Sequence, residues 1–390
     1  MPYSFELTPK QEELRQQVRE FTQKYAAPVA AEVDETDNIP RDLIKIIRSP
    51  PYKYTAAWIP KKFGGLELER LDICILMEEI AYVSLPIATL IEVSGVTTLP
   101  IVFGGSEELK QKYLTLHAKG DIFSAFSLTE EGAGSDANTI KTQAEKSGDE
   151  YILNGQKRLV SMAEFADIYV IFARTDPTKK RHSISAFVVE KKFPGFKIGK
   201  KRVCYGVKGH QTYDLLLEDC RVPVENRIGE EGHGFKYALR TFDDTRPTLA
   251  CGYIGLARAA LDIALQFAKA RETFGQPLIE HEAIKFPVVE IATEIECARL
   301  LAYKACWLAD QKHWHKKEAS MAKYYAAELA VKAAMSAMKI LGGFGSTKDY
   351  PIERFLRDAT TFTVAQGSPE IQRLVVAREL LKESEKKATL

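Results

Sequence analysis

The run Tyr151-Ile152-Leu153-Asn154-Gly155-Gln156-Lys157 decides the fold class. Its first three residues suit a strand, and the Asn-Gly pair beyond them is a strong hairpin signal. Ile168 to Ala173, Ile184 to Val189 and Tyr213 to Leu217 are further short β-rich runs, broken by polar turns. Strands spaced in this way predict a β-sandwich or barrel of modest size. The sequence on either side is helical. Upstream, Thr8-Pro9 with Gln11 predicts a capped helix start, and Leu14, Val18, Phe21 and Tyr25 recur at helical spacing. Pro28 lies just past that stripe. A second helix is expected over Asp72 to Tyr82, and a mostly apolar stretch runs from Pro86 to Phe103. Downstream the pattern turns helical near Gly234. Gly252 to Ala270, Glu282 to Asp310 and Lys317 to Leu341 are long, alanine-rich and apolar-striped, as an antiparallel bundle requires. The fold class is therefore α+β in three parts. An N-terminal helical domain is expected over residues 1–120, a middle β domain over 121–233 and a C-terminal helical bundle over 234–390.

A chain of 390 residues can build more than one core. Its net charge of +1 shows no basic excess, so no nucleic-acid partner is expected. The six cysteines make no CxxC pair, which suits a reducing compartment. His313 and His315 flank Trp314 with no acidic partner at ligand spacing, so a solvated helix end is expected there and no metal site. Glu6, Glu12 and Glu13 come early and no apolar segment follows them, so no signal peptide is expected. No apolar stretch is pure enough to predict a membrane span. A cytoplasmic protein without a membrane partner is the resulting expectation.

Phe126-Ser127-Leu128-Thr129-Glu130-Glu131-Gly132-Ala133-Gly134-Ser135-Asp136 is a strand entering a glycine-rich loop. Glycines let backbone N–H groups approach a phosphate or a polar ring. On the residues alone, a plain loop between domains fits as well. The run also resembles the signature of the acyl-CoA dehydrogenases. The resemblance covers almost the whole chain, because Asn154-Gly155-Gln156-Lys157, Arg271-Glu272-Thr273-Phe274-Gly275, Gly342-Gly343-Phe344-Gly345, Tyr350-Pro351-Ile352-Glu353-Arg354 and Gln366 to Arg373 keep that family's order and spacing.

The resemblance implies a helical, β and four-helix-bundle organisation, FAD as cofactor, an acyl-CoA substrate, an electron-transferring flavoprotein as acceptor and a homotetramer. It implies that Phe126, Leu128 and Thr129 flank the isoalloxazine ring and that Ser161 lies near flavin N5. Arg271 and Phe274 would reach the FAD of a neighbouring subunit, with arginine offsetting pyrophosphate charge. Ser368, Glu370 and Gly343 match positions near FAD, and Ser135 lies in the signature loop. Ser135, Asp243, Arg246 and Gly367 match positions close to the substrate. Leu159 stands where a tryptophan beside the flavin is usual, Glu282 replaces a common glutamine, and Lys339 replaces another polar residue near the cofactor.

The family's chemistry removes a proton from C2 of the thioester with a glutamate in a Tyr-Glu-Gly run. Here the run is Ala365-Gln366-Gly367, and a primary amide has no useful basicity. An alternative family position for the base falls on Thr245, which is no base either. A laboratory Glu-to-Gln substitution would explain Gln366 alone but not Ala365, Leu159 and Pro369 with it, so natural divergence is the favoured expectation. Glu92 is the one carboxylate in the apolar run Ile87 to Val96. A buried carboxylate tends to a raised pKa, as a working base needs. A structural role facing solvent or a cation is the alternative. The cyclohex-1-ene-1-carboxyl-CoA dehydrogenases, a branch that lacks the usual glutamate and uses an aspartate in this helix, are similar in these features and imply a 1,4-elimination on a ring. A desulfinase-like lyase and a catalytically inactive FAD- and CoA-binding protein are the other readings.

Overall fold

The computed structural model describes residues 6–179 and 182–388. Helix α1 (Pro9–Phe21) opens with the expected capping box: Thr8 Oγ1 accepts from the Gln11 amide at 3.3 Å, and the Gln11 side chain accepts from the Thr8 amide at 3.0 Å. The chain does not leave the helical path at Pro28. A π turn over Thr22–Ala26 and a 3-10 turn over Ala27–Val29 lead into α2 (Ala30–Thr36). Proline is tolerated there because it starts a new turn, where no hydrogen bond is lost. Helices α3 (Arg41–Arg48), α4 (Arg70–Ala81), α5 (Leu85–Gly104) and α6 (Glu107–Lys119) complete this part.

Helix α5 is apolar around its whole circumference, and its residues from Leu85 to Ile101 are all buried. Its Thr89, Ser94, Thr97 and Thr98 hydroxyls bond back to carbonyls three or four residues earlier. Glu92 has no such local solution and must find partners on other elements. By length and composition, Leu85–Gly104 and Gly234–Ala270 would both pass as membrane spans, which corrects the expectation from sequence. Most of each lies inside the protein, where contact with other helices demands the same apolar surface.

The middle part holds β1 (Ser124–Ser127), β2 (Gln143–Ser147), β3 (Glu150–Val160), β4 (Ile168–Arg174), β5 (Ile184–Glu190), β6 (Phe196–Lys201), β7 (Tyr213–Pro223) and β8 (Arg227–Ile228). The order is β6-β7-β3-β2-β4-β5-β8, with β1 parallel to β4. Tyr169 and Ile171 of β4 face a core shared with Leu153, Leu215 and Val222. Ile168, Val170 and Phe172 face a second core shared with Leu109, Tyr113 and Leu114 of α6. Both faces of β4 are thus buried, which explains its unbroken apolar run.

The Asn154-Gly155 hairpin is not formed. The β2–β3 turn lies at Gly148-Asp149, closed by the pair Ser147 and Glu150, with Gly148 at φ +61°. Asn154-Gly155 sits inside β3, where its pairing with β7 slips between Leu153 and Gly155. The Asn154 side chain accepts from the Asp219 amide at 2.7 Å and donates to its carboxylate at 3.0 Å, closing a bulge across two strands. A Cβ on Gly155 would lie 2.5 Å from Thr142 Oγ1, so the glycine serves close strand approach.

The last part contains α7 (Gly234–Ala270), α8 (Glu282–Asp310), α9 (Lys316–Leu341), α10 (Ile352–Phe362) and α11 (Pro369–Ala388). Helices α7, α8, α9 and α11 pack as a bundle. Helix α7 also packs on α4 and α5, which joins the two helical parts. A Cβ on Gly255 would lie 2.2 Å from the Glu78 carbonyl, so glycine is what lets α7 approach α4.

Candidate active site

Three elements meet at Glu92. Helix α5 supplies the carboxylate, α7 supplies Thr245, Arg246 and Thr248, and the turn between α10 and α11 supplies Gln366. Glu92 is only 3% exposed. One of its oxygens accepts from the Gln366 side-chain amide, and the other accepts from the Thr248 hydroxyl at 3.1 Å. The Thr245 hydroxyl donates to the Gln366 side-chain oxygen at 3.0 Å, which orients the amide with its NH2 toward Glu92. Neither alternative for Glu92, solvent or a cation, is what the structure shows. Burial pushes its pKa up to about 8, while hydrogen bonding by Gln366, Thr248 and Thr245 pulls the other way.

Arg246 is buried. It donates to the Gln366 carbonyl at 3.2 Å and pairs with Asp243 at 3.1 Å. Its guanidinium lies 5.6 Å from the Phe242 ring, which in turn lies 5.4 Å from the Phe126 ring. A continuous set of contacts thus joins the glycine-rich segment to the Gln366 turn. Asp243 also lines a cleft of about 960 Å³ together with Lys236, Arg240, Lys312, Trp314 and Lys316. His315 is not a solvated helix end: it is half-buried with Nε2 3.5 Å from Asp244, and although burial alone would lower its pKa, the interactions with Asp244, the His313 carbonyl and Asp243 together raise it. His313 is exposed.

Leu128 is buried, Thr129 and Ser161 are half-buried, and Ser135 is exposed on the loop. Leu159 is 58% exposed at φ +56°. Gly367 follows Gln366 in the turn, Ser368 Oγ faces the Ile371 amide at 3.5 Å as α11 begins, and Glu370 is exposed. Lys339 and Gly343 are exposed. Arg271 is exposed and Phe274 is 98% exposed. Arg271 follows the end of α7, ~37 Å along the helix axis from Arg246 at the usual rise per residue. The structure therefore groups Glu92, Gln366, Gly367, Asp243, Arg246 and Phe126, and leaves Arg271 and Phe274 far from them.

The arrangement fits FAD. The space over Gly132 and Gly134 is open, so ligand atoms can reach the loop's backbone. Large apolar side chains stand uncovered at Leu159 and Val364. A flat apolar ring system carrying phosphates matches both features.

Some functional groups escaped the sequence reading. Lys157 is fully buried and bonds Glu130 at 2.7 Å and the Leu128 carbonyl at 3.2 Å. Glu130 in turn accepts from the Lys141 amide at 2.6 Å and the Thr142 amide at 3.0 Å. This ion pair anchors the glycine-rich loop. Its signal in the sequence was a lysine at an inward position of an alternating strand. Thr248 and Lys323 carry no such signal, since their partners are a carboxylate and carbonyls distant in sequence, and Gln372 carries none because its partners are backbone carbonyls, which no residue type marks.

Comparison with known proteins gives matches over all three parts. The N-terminal, middle and C-terminal domain models of acyl-CoA dehydrogenase match residues 8–121, 125–220 and 232–381. The chain belongs to the acyl-CoA dehydrogenase family. It is 40% identical over 376 residues to an acyl-CoA dehydrogenase of Bacillus subtilis, covering 96% of this chain and 99% of that one. It matches butyryl-CoA dehydrogenase from Megasphaera elsdenii with a TM-score of 0.93 and 35% identity, over 97% of this chain and all (100%) of the other. A chain from structural work on the electron transferring flavoprotein of Acidaminococcus fermentans matches with a TM-score of 0.94 and 37% identity, over 97% and 100%. This acyl-CoA dehydrogenase is thus an FAD-dependent oxidoreductase, and the helical, β and helical parts are the family's fold.

Proposed function

We propose that the protein dehydrogenates a cyclic acyl-CoA such as cyclohex-1-ene-1-carboxyl-CoA, with Glu92 as the proton acceptor. The observation that carries this is the contact between Glu92 and Gln366, because the carboxylate stands beside the position from which the family's base is missing. FAD, when bound, supplies the acceptor for the hydride. Glu92 takes a proton from a ring carbon acidified through the ring double bond. The electron pair shifts toward the thioester carbonyl, hydride leaves the ring from its far position, and a conjugated diene remains. Thr248 and Gln366 hold the carboxylate oxygens, so the acceptor does not reorient during transfer. Ala365 and Leu159, in place of larger aromatics, leave room for a ring.

The remaining roles rest on the likeness to the family. The loop Leu128 to Ser135, with Phe126, Leu159 and Ser161, borders the flavin ring. The basic residues of the neighbouring cleft, Lys236, Arg240, Lys312 and Lys316, suit the phosphates of coenzyme A, the Asp243 carboxylate suits a hydrogen-bond donor of the same ligand, and Arg246 steadies both Asp243 and the Gln366 turn. Arg271 and Phe274 lie beyond the far end of α7, too distant to serve this site, which supports their service to a neighbouring subunit of a tetramer; Lys339, Gly343, Ser368 and Glu370 are read as positions near FAD. Exposed Phe286, Val289 and Leu300 on α8 give such an assembly an apolar face to cover. An electron-transferring flavoprotein as acceptor is supported by the similarity to the Acidaminococcus chain.

The test is anaerobic mixing of the FAD-loaded protein with cyclic and straight-chain acyl-CoAs, read by flavin absorbance. Rapid bleaching by the ring-unsaturated thioester and slow or no bleaching by butyryl-CoA is expected. Faster bleaching by butyryl-CoA would overturn the cyclic assignment. Absence of bleaching by every thioester would favour the lyase or the inactive reading.

A further inference from the structure

Lys323 on α9 is fully buried, and the proposed chemistry does not use it. Its ammonium donates to the Gly367 carbonyl at 2.8 Å and to the Thr363 carbonyl. The Thr363 carbonyl caps the end of α10, where backbone acceptors have no intrahelical partner and the helix dipole favours a cation, while the Gly367 carbonyl belongs to the turn before α11. Among the described residues no carboxylate forms an ion pair with it; Glu328 on the same helix pairs with Arg373 instead. A buried ammonium without a carboxylate is costly, so its two carbonyl bonds are the reason it can stay there. Burial lowers its pKa to about 7.

The turn it holds is unusual. Gln366 has φ +54° and Gly367 φ +96°, so two successive residues are left-handed. A glutamine in that conformation is held against its own preference. Arg246 covers the Gln366 carbonyl from α7, at 3.2 Å, and Gln372 covers the Gln366 and Gly367 carbonyls from α11 at 3.1 and 3.2 Å. Lys323 is the only one of the three whose bonds span the turn from Thr363 to Gly367. The alanines of α9 around it, Ala319, Ala322, Ala326 and Ala327, are all buried and let the turn approach closely.

We propose that Lys323 is a positioning residue that fixes the left-handed turn at Gln366 and so keeps the Gln366 amide on Glu92. This rests on Glu92 being the proton acceptor, but its test needs no substrate. Lys323→Met keeps the stem and removes both carbonyl bonds. With the turn released, Glu92 loses a donor that stabilises its charged form, so its ionisation should become harder.

The experiment is a pH titration of the FAD-loaded protein by difference infrared spectroscopy, following the protonated carboxyl band that Glu92→Gln removes. In Lys323→Met the midpoint should rise by about one pH unit, a tenfold change in ionisation constant. Lys323→Arg, which keeps donors for the carbonyls, should bring the midpoint back toward the parent value. Thermal unfolding runs alongside. An unmoved Glu92 midpoint in Lys323→Met, whether or not the melting point falls, would overturn the proposal and leave Lys323 a packing residue. Should Lys323→Met not fold, Lys323→Gln takes its place with the same required rise. The cyclic-substrate reading can fail in its bleaching assay without touching this result.

Discussion

Gln366 places its side-chain amide on Glu92 across 274 positions of sequence. The residue that replaces the family's base is therefore not a spectator. It is a hydrogen-bond donor to the buried carboxylate proposed as proton acceptor. Glu92 and Gln366 form a single hydrogen-bonded unit with Thr245 and Thr248.

Glu92→Gln retains the shape of this unit and removes its basicity. Flavin reduction by the cyclic substrate should fall by about two orders of magnitude or more, with FAD and thioester binding nearly unchanged. Single-turnover stopped-flow measures it. A rate close to the parent's would leave Glu92 a structural group.

The pH dependence follows from burial. Glu92 titrates at about 8, so near neutrality most of it carries a proton, and only the carboxylate accepts one. The reduction rate should rise with pH and level off above that value. Its raised folded pKa also adds stability that is fully present below the ordinary glutamate value and is lost as pH rises through about 8. Glu92→Gln should therefore melt higher relative to the parent at about pH 9 than at about pH 5, a difference that calorimetry reads directly.

Gln366→Glu puts two carboxyls in direct contact. They should share a proton and titrate as a coupled pair, with one of the two ionisations raised further. With a base restored at the family's position, oxidation of a saturated cyclic acyl-CoA at C2 and C3 should appear or increase by roughly a hundredfold or more. Product analysis by mass spectrometry separates this from the parent reaction. No such gain, with FAD bound, would mean that substrate placement has diverged as well.

Lys157→Met would leave Glu130 without its cation in a largely buried setting. Removing one partner of a buried pair costs roughly 3–5 kcal/mol. The glycine-rich loop should loosen, and FAD should be lost on gel filtration before the protein unfolds. Retention of FAD at the parent level would show that the amides of Lys141 and Thr142 alone hold Glu130.

Phe274→Asp probes assembly. Phe274 is 98% exposed in the single chain, so the substitution disturbs no packing within it. If this ring meets a neighbouring subunit, sedimentation should show smaller species, and FAD should bind more weakly. An unchanged assembly state with full FAD content would place the cofactor contact elsewhere.

The local chemistry of the chain was legible in its sequence wherever near neighbours decide the outcome. The capping box at Thr8 and Gln11, the long helices from Glu282 and Lys317, and the strands at Ile168 and Ile184 depend on spacing within a few residues. The oddity of a carboxylate at Glu92 was legible too, because it breaks a local apolar run, whereas the absence of a base at Gln366 showed only against the motif of the family that the chain resembles. Other outcomes depended on what lies across the fold. Asn154-Gly155 carries the composition of a turn, yet Asp219 and Thr142 on neighbouring strands made it a bulge. The apolar purity of Leu85 to Gly104 does not say what surrounds it, since a protein interior and a membrane exert the same demand. Whether Glu92 faced solvent, a cation or Gln366 was likewise a question of three elements meeting. A buried carboxylate takes its properties from its surroundings, and those surroundings come from residues as far away as position 366. Lys323 was invisible for the same reason: its partners are backbone carbonyls, which no residue letter marks, held by a left-handed turn that only the packed bundle brings beneath it.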